Sequence, residues 1–336
     1  MNSGHVTLAH GAGGRLTQEL VAQVFAPTFA NPILARLNDA AVLPTEPGRL
    51  AFSIDAHVVQ PLFFPGGDIG SLAVHGTVND LAMMGARPLW LAAAFVLEEG
   101  FPLADLQRIA ASMAEAARAA GVHLVAGDTK VVERGKADSV YLTVAGVGWV
   151  PEGVQVDAAA ARPGDVVLVN APIAAHGMTI MTLREGLELT SDLRSDTAPL
   201  HTLVADLLAA APHTHVLRDA TRGGLATVLH EIARASQVGI AVREADIPVH
   251  PAAADACALL GLDPLYVANE GVFVAFVPPA EAEAALAALR AHPLGRAARR
   301  IGVVTAEPRG RVVLETRLGA QRLLPPLSGD LLPRIC

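Results

Sequence analysis

Five aspartates stand at the ends of apolar stretches or inside one: Asp39 in LNDAAVL, Asp55 in FSIDAHV, Asp80 in TVNDLAMMG, Asp128 in VAGDTKVV and Asp219 in LRDATRGG. A single aspartate in such a place serves as a turn former or a helix cap. Five together point elsewhere, because burying several like charges is costly unless a cation neutralises them. Hard oxygen ligands without His or Cys beside them favour Mg²⁺, and Mg²⁺ commonly arrives with phosphates.

Groups able to meet a phosphate are present. AHGAGGR puts Gly11, Gly13 and Gly14 in one loop ending at Arg15, where backbone N–H groups can approach an anion. DATRGGLATVL is the stronger candidate, since Arg222, Gly223 and Gly224 open a helix at the end where unpaired N–H groups and the dipole favour negative charge. No GxxxxGK followed by Ser or Thr occurs, so this is not a P-loop. Lys130 in GDTKVV is either a solvated charge or an electrophilic clamp beside Asp128. Glu270 in VANEGVFVAF precedes a buried strand, where partial burial would suit it as a general base; an ordinary strand-edge glutamate is the competing reading. His75 and His176 read as structural histidines.

The cysteines differ in kind. Cys257 in DACALLGL reads as a core residue. Cys336 is the last residue of the sequence, after the proline-bearing LPPLSGDLLPRIC and beside Arg334. A segment of that composition is expected to be a mobile tail, able to carry its thiol to another protein or back to the body's own cleft. Prenylation does not fit, because the cysteine would have to stand fourth from the end.

The elements that must position these residues alternate. Strands are expected at RLAFSIDAHV, LWLAAAFVL, VHLVAGDTKVV and SVYLTVAGVGWVP, with helices at DIGSLAVHGTVNDLAMMG and LADLQRIAASMAEAARAAG. After a Pro/Gly-bounded connector around Pro151–Gly164 the alternation resumes, with strands at DVVLVNAPI, LYVANEGVFVAFVP and RIGVVTA and helices at APLHTLVADLLAAA, GLATVLHEIARAS and AEAEAALAALRAHP. The expected organisation is 1–151, an N-terminal ATP-binding domain; 152–322, a C-terminal α/β domain; and 323–336, the tail. With 52% apolar and 17% charged residues in 336, two well-filled cores are within reach. A net charge of -8 without a Lys/Arg run argues against nucleic acid, and no apolar run approaches a membrane span, so a cytoplasmic protein is expected.

With these motifs laid out, AHGAGGR, SIDAHVVQPLFFPGGDIG, GTVNDLAMMGARP, EEGFP, GDTKVVERG, RDATRGGL, ANEG and LPRIC together resemble the HypE family of hydrogenase maturation factors, the carbamoyl dehydratases of nickel–iron hydrogenase assembly. The resemblance runs from His10 to Cys336. It implies an aminoimidazole ribonucleotide synthetase-like α+β fold whose N-terminal sheet forms a barrel with the sheet of a second copy. ATP would lie between the domains under the glycine loop, with Asp39, Asp55, Asp80 and Asp128 as Mg²⁺ and phosphate-side acids and Asn79 and Thr129 beside them. LND departs from the family's paired-aspartate pattern, which puts Asn38 in doubt as a ligand. The implied chemistry makes Cys336 a carrier. The carbamoyltransferase HypF loads it as an S-carboxamide, ATP drives dehydration to a thiocyanate, and cyanide passes to iron on a HypC–HypD complex. Glu270 is the expected proton acceptor, with Lys130 and Asp80 as alternatives, and Lys130 would offset charge on the phosphoryl group. A small-molecule kinase of the selenophosphate synthetase type, or a non-catalytic ATP-binding scaffold, would leave Cys336 idle.

Overall fold

The computed structural model describes residues 5–7, 19–31, 48–187, 192–327 and 334–336. Gly11, Gly13, Gly14, Arg15, Asn38 and Asp39 therefore lie outside the described residues.

Residues 49–150 build a four-stranded sheet in the order β1-β6-β4-β5, from β1 (Arg49–His57), β4 (Arg87–Glu98), β5 (His123–Val132) and β6 (Val140–Val150). A two-stranded ribbon, β2 (Phe63–Phe64) with β3 (Gly67–Asp68), lies between β1 and the first helix. Only β4 and β5 run parallel, and helix α2 (Leu103–Ala119) makes the crossover that parallel strands require. Helix α1 (Ile69–Met83) starts at a capping box: Asp68 accepts from Ser71 N–H at 2.9 Å, while Ser71 Oγ accepts from Asp68 N–H at 3.0 Å. Nearly all of α1 is buried, which fits its apolar run without a polar stripe. α1 and α2 cover one face of the sheet; the other face leaves Leu50, Phe52 and Ile54 exposed.

The second sheet has seven strands in the order β13-β12-β9-β11-β7-β10-β8. Its centre, β7 (Val166–Val169) and β10 (Phe273–Val277), is buried at every position because helices cover both faces. Val167 and Val169 join the core with α5 (Gly224–Ala235), whereas Val166 and Leu168 join that of α4 (His201–Ala210) and α7 (Ala282–Ala291). The remaining strands are β8 (Val216–Asp219), β9 (Gly239–Arg243), β11 (Arg299–Thr305), β12 (Arg311–Glu315) and β13 (Gln321–Leu323); α3 (Ala175–Arg184) and α6 (Pro251–Leu260) complete the helices used below. No helix among the described residues is long and apolar enough to cross a membrane.

One expectation needs correction. LYVANEGVFVAFVP is a strand only over Phe273–Val277; it begins as a turn at Pro264–Tyr266 and passes through an irregular Val267–Val272, whose backbone groups are taken up partly by the side chains of Asp196, Asn79 and Asn170 and partly by the backbone of Gly177 and Ala220. Of the two places the tail is expected to reach, the structure shows the one on the body itself: Ile335 and Cys336 are buried in the same core cluster as Phe64 and Met178.

Candidate active site around Cys336

The last three residues lie alongside the chain leaving β1. Val58 N–H donates to Cys336 O at 3.1 Å and Gln60 N–H donates to Arg334 O at 3.3 Å, a two-residue step like that of an added strand. Arg184 at the end of α3 donates to Gln60 O and Arg334 O, tying the two segments together. Arg334 in turn donates to Val58 O and pairs with Asp138.

The thiol so placed faces charge. The Arg222 guanidinium hydrogen-bonds the Cys336 sulfur, and its pKa is raised, first by Cys336. The thiol itself is pushed up to about 12, first by burial and then by the neighbouring Glu270, against the pull of Arg222. Arg222 reaches this point because the chain turns abruptly after β8. Gly224 has φ +62°, and a Cβ there would meet Val267 O at 2.6 Å, so a larger residue would push the Arg222 turn away from the Val267 segment.

Glu270 is 4% exposed, and its Oε1 is buried without a hydrogen-bond partner among the described residues. Burial, followed by Asp196, Asp219 and Asp55, drives its pKa well above the ordinary carboxyl value. Its backbone is held on every side: Glu270 N–H donates to Asp196 Oδ1 at 3.1 Å, and Glu270 O accepts from Asn79 at 3.2 Å. On either side, Asn269 is bonded to Ala174 N–H and Ala220 O, and Asn170 Nδ2 donates to Gly271 O at 3.0 Å. Gly271 is obligatory here, since a Cβ would stand 1.9 Å from Asp196 O.

Asp55, Asp80 and Asp219 gather on the inner side of this site. Asp80 accepts from Ser53 Oγ at 2.6 Å, and its pKa is raised by burial and then, against that hydrogen bond, by Asp55. Burial, then Asp80, carries Asp219 to about 7. Asp55 also lies 3.3 Å from His57 Nε2.

Asp128 does not join them. β1 pairs Ala56 with Thr143, β4 pairs Ala94 with Thr143, and β5 pairs Asp128 with Ala94, so Asp128 shares its sheet face with Ala56 and not with Asp55. Lys130, two residues on, projects from the same open face and pairs with Asp128 at 3.2 Å, with about two thirds of each side chain exposed. Thr129 N–H is taken up by Asp128 Oδ1 at 2.8 Å. The four expected metal residues thus fail to form one protein cage: Asp39 lies outside the description, Asp128 faces away, and the described residues contain no cluster of three His, Cys, Asp or Glu arranged for a metal. Asp55 and Asp80 do fit the way Mg²⁺ is usually held beside a nucleotide, through one or two carboxylates with the other positions left to phosphate and water. Asn79 is also reassigned: its amide bonds Ala198 O, Glu270 O and Leu200 N–H, which makes it a brace between α1 and the Glu270 loop. Gly223 and Gly224 do open α5 as expected, although what they aim is Arg222.

Sequence reasoning missed Ser195 and Asp196, which sit in SDLRSDTAPL without a recognisable motif, and it set His176 aside. Asp196 is pushed up to about 6 by burial against several backbone N–H bonds, including that of Glu270. The one available signal was HGM at a helix start, a histidine with a following glycine that allows close packing: a Cβ on Gly177 would meet Val267 at 2.5 Å.

Residues 37–150 match the family described as AIR synthase related protein, N-terminal domain, and residues 162–315 match AIR synthase related protein, C-terminal domain. The chain is 56% identical over 337 residues to carbamoyl dehydratase HypE of Cupriavidus necator, covering 100% of this chain and 96% of that one. The crystal structure of hydrogenase maturation protein HypE in complex with ATP is similar with a TM-score of 0.95 at 48% identity, covering 98% of this chain and 99% of the other. A chain of the HypE–HypF complex gives a TM-score of 0.81 at 44% identity, over 94% and 100% of the two chains. With both halves matched in order and relatives this close over the full length, the chain belongs to the carbamoyl dehydratase HypE family of AIR synthase related proteins.

Proposed function

We propose that the protein dehydrates a carbamoyl group carried on its own Cys336, converting the S-carboxamide to a thiocyanate with ATP as the water-accepting reagent, to supply cyanide in hydrogenase maturation. The observation that carries this reading is the burial of Cys336 against Arg222, with Glu270 beside it and one carboxyl oxygen of Glu270 unpartnered among the described residues.

Hydroxide is a poor leaving group, so the carboxamide oxygen takes the γ-phosphoryl group and departs as phosphate while nitrogen gives up both protons; S-carboxamide and ATP become thiocyanate, ADP and phosphate. Glu270 accepts a proton from nitrogen, a role suited to a buried carboxyl whose pKa is raised. Arg222 holds the sulfur and offsets charge that develops on the carbamoyl oxygen. Asp55 and Asp80 are the described residues that would hold Mg²⁺ with the phosphates, where the ion supplies further positive charge. Lys130 and Asp128 act from the sheet's open face in a homodimer, where Leu50, Phe52 and Ile54 would be buried between two copies.

A seated thiol with a pKa near 12 is protonated at neutral pH and a poor nucleophile, so Cys336 is loaded away from this seat, by a HypF-type carbamoyltransferase in the cytoplasm. It returns for dehydration and leaves again to deliver cyanide to a HypC–HypD complex. The test is stoichiometric. With HypF and carbamoyl phosphate present, the protein should release one ADP for each carbamoyl group lost from Cys336, and Cys336→Ala should release none above background; equal release by both proteins would refute the reading.

A further inference from the structure

His176 is the second residue of α3, fully buried, with its ring edge-on to Phe64 at 5.6 Å between centroids. Its Nε2 lies 2.7 Å from Ile335 O and its Nδ1 lies 2.8 Å from Ser195 Oγ. A carbonyl oxygen only accepts, so Nε2 carries the proton and donates it to Ile335 O. In the neutral ring Nδ1 is then an acceptor, and the Ser195 hydroxyl must donate to it. Ser195 is free to do so because its oxygen already accepts from Thr197 N–H at 3.1 Å, and its own N–H is fixed on Pro65 O at 2.9 Å. Burial holds the imidazole in this neutral form. The chain Thr197 N–H, Ser195 hydroxyl, His176 ring, Ile335 carbonyl therefore runs in one direction and ends one residue from the thiol. Asp196, the next residue after Ser195, takes the N–H of Glu270 at 3.1 Å. One dipeptide thus fixes both the seat of Cys336 and the backbone of its proton acceptor.

We propose that His176, oriented by Ser195, is the positioning residue that latches the Ile335–Cys336 end of the chain against Glu270 and Arg222. The inference deepens the dehydratase reading and rests on it only for what the seated thiol is for. His176 touches no reacting atom; it acts on how often the thiol is in place, so its loss slows dehydration and spares loading by the carbamoyltransferase, which needs the thiol unseated.

The full chain can be tested with N-ethylmaleimide at pH 7.5, with modification of Cys336 followed by peptide mass and buried Cys257 as the internal reference. His176→Ala should make Cys336 react about three- to tenfold faster, the range for one net hydrogen bond. His176→Gln, whose amide can donate from nearly the same point, should return the rate toward that of the parent. Ser195→Ala should give a smaller rise. The dehydration step should slow by a similar factor in His176→Ala while carbamoylation continues. A His176→Ala rate equal to the parent's, or a Gln variant as fast as the Ala variant, would overturn the latch. If His176→Ala does not fold, Ser195→Ala decides, and an unchanged Cys336 rate there refutes the proposal. Absence of dehydration in the parent would sink the proposed function and leave the maleimide comparison to decide the latch.

Discussion

The two faces of the first sheet use the same kinds of residue to opposite ends. On the inner face, Asp55 is crowded by Asp80 and Asp219, whose pKa values are raised, first by burial, and the group lies within the influence of Glu270 and Arg222. On the open face, Asp128 and Lys130 form a solvated pair on the edge strand opposite the one that carries Phe52 and Ile54, and the Asp128 carboxyl is held below its ordinary value, first by the Lys130 hydrogen bond. A strand alternates its side chains, so the same residue types one step out of register meet either a low-dielectric pocket or water. Burial, more than residue identity, separates a candidate proton acceptor from an exposed ion pair.

This contrast is open to attack from both sides. Glu270→Gln keeps size and backbone bonding but removes the inner proton acceptor; dehydration should fall by about 10²–10⁴ while carbamoylation of Cys336 continues. Single-turnover kinetics on the carbamoylated protein measure this, and a variant that dehydrates at the parent's rate would remove Glu270 from the mechanism. Lys130→Ala should cost dehydration about 10²–10³ if the open face enters the site through a second copy. It should leave Cys336 maleimide reactivity unchanged, because Lys130 lies on the other face. Phe52→Glu sharpens the point: it should weaken self-association at least about 30-fold in sedimentation experiments and depress dehydration at low protein concentration. Full activity in a monomeric Phe52→Glu protein would return Lys130 and Asp128 to the solvated surface. The smallest effect belongs to Asp138→Asn, which removes the partly exposed partner of Arg334 and should raise Cys336 reactivity no more than about two- to fivefold.

Much of this was legible in the residues. The alternating strands and helices, the choice of Asp55, Asp80, Arg222 and Glu270 as candidates, and the unusual placing of Cys336 follow from pattern and from the cost of buried charge. What escaped depended on contacts distant in sequence. Nothing in GDTKVV tells which face of β5 Asp128 will occupy, because that is set by register against β4. Asn79 looks like a ligand in TVNDLAMMG and becomes a brace only when residues 198–200 and Glu270 pack over it. Ser195 and Asp196 carry no local signature; their roles exist only once α3 and the Glu270 loop are on either side of them. A tail able to return to the body was legible, but not where it would settle, because no local pattern predicts that Val58 and Gln60 will present N–H groups to Cys336 and Arg334.

The account stands or falls on the sulfur of Cys336. Intact-mass measurement of the full chain, incubated with HypF and carbamoyl phosphate and then with ATP, should show a gain of one carbamoyl group followed by the ATP-dependent loss of one water, with both changes mapping to Cys336. If Cys336→Ala undergoes the same two changes, or the loaded parent protein keeps its full carbamoyl mass in the presence of ATP, the seated thiol is not the substrate and the central claim is wrong.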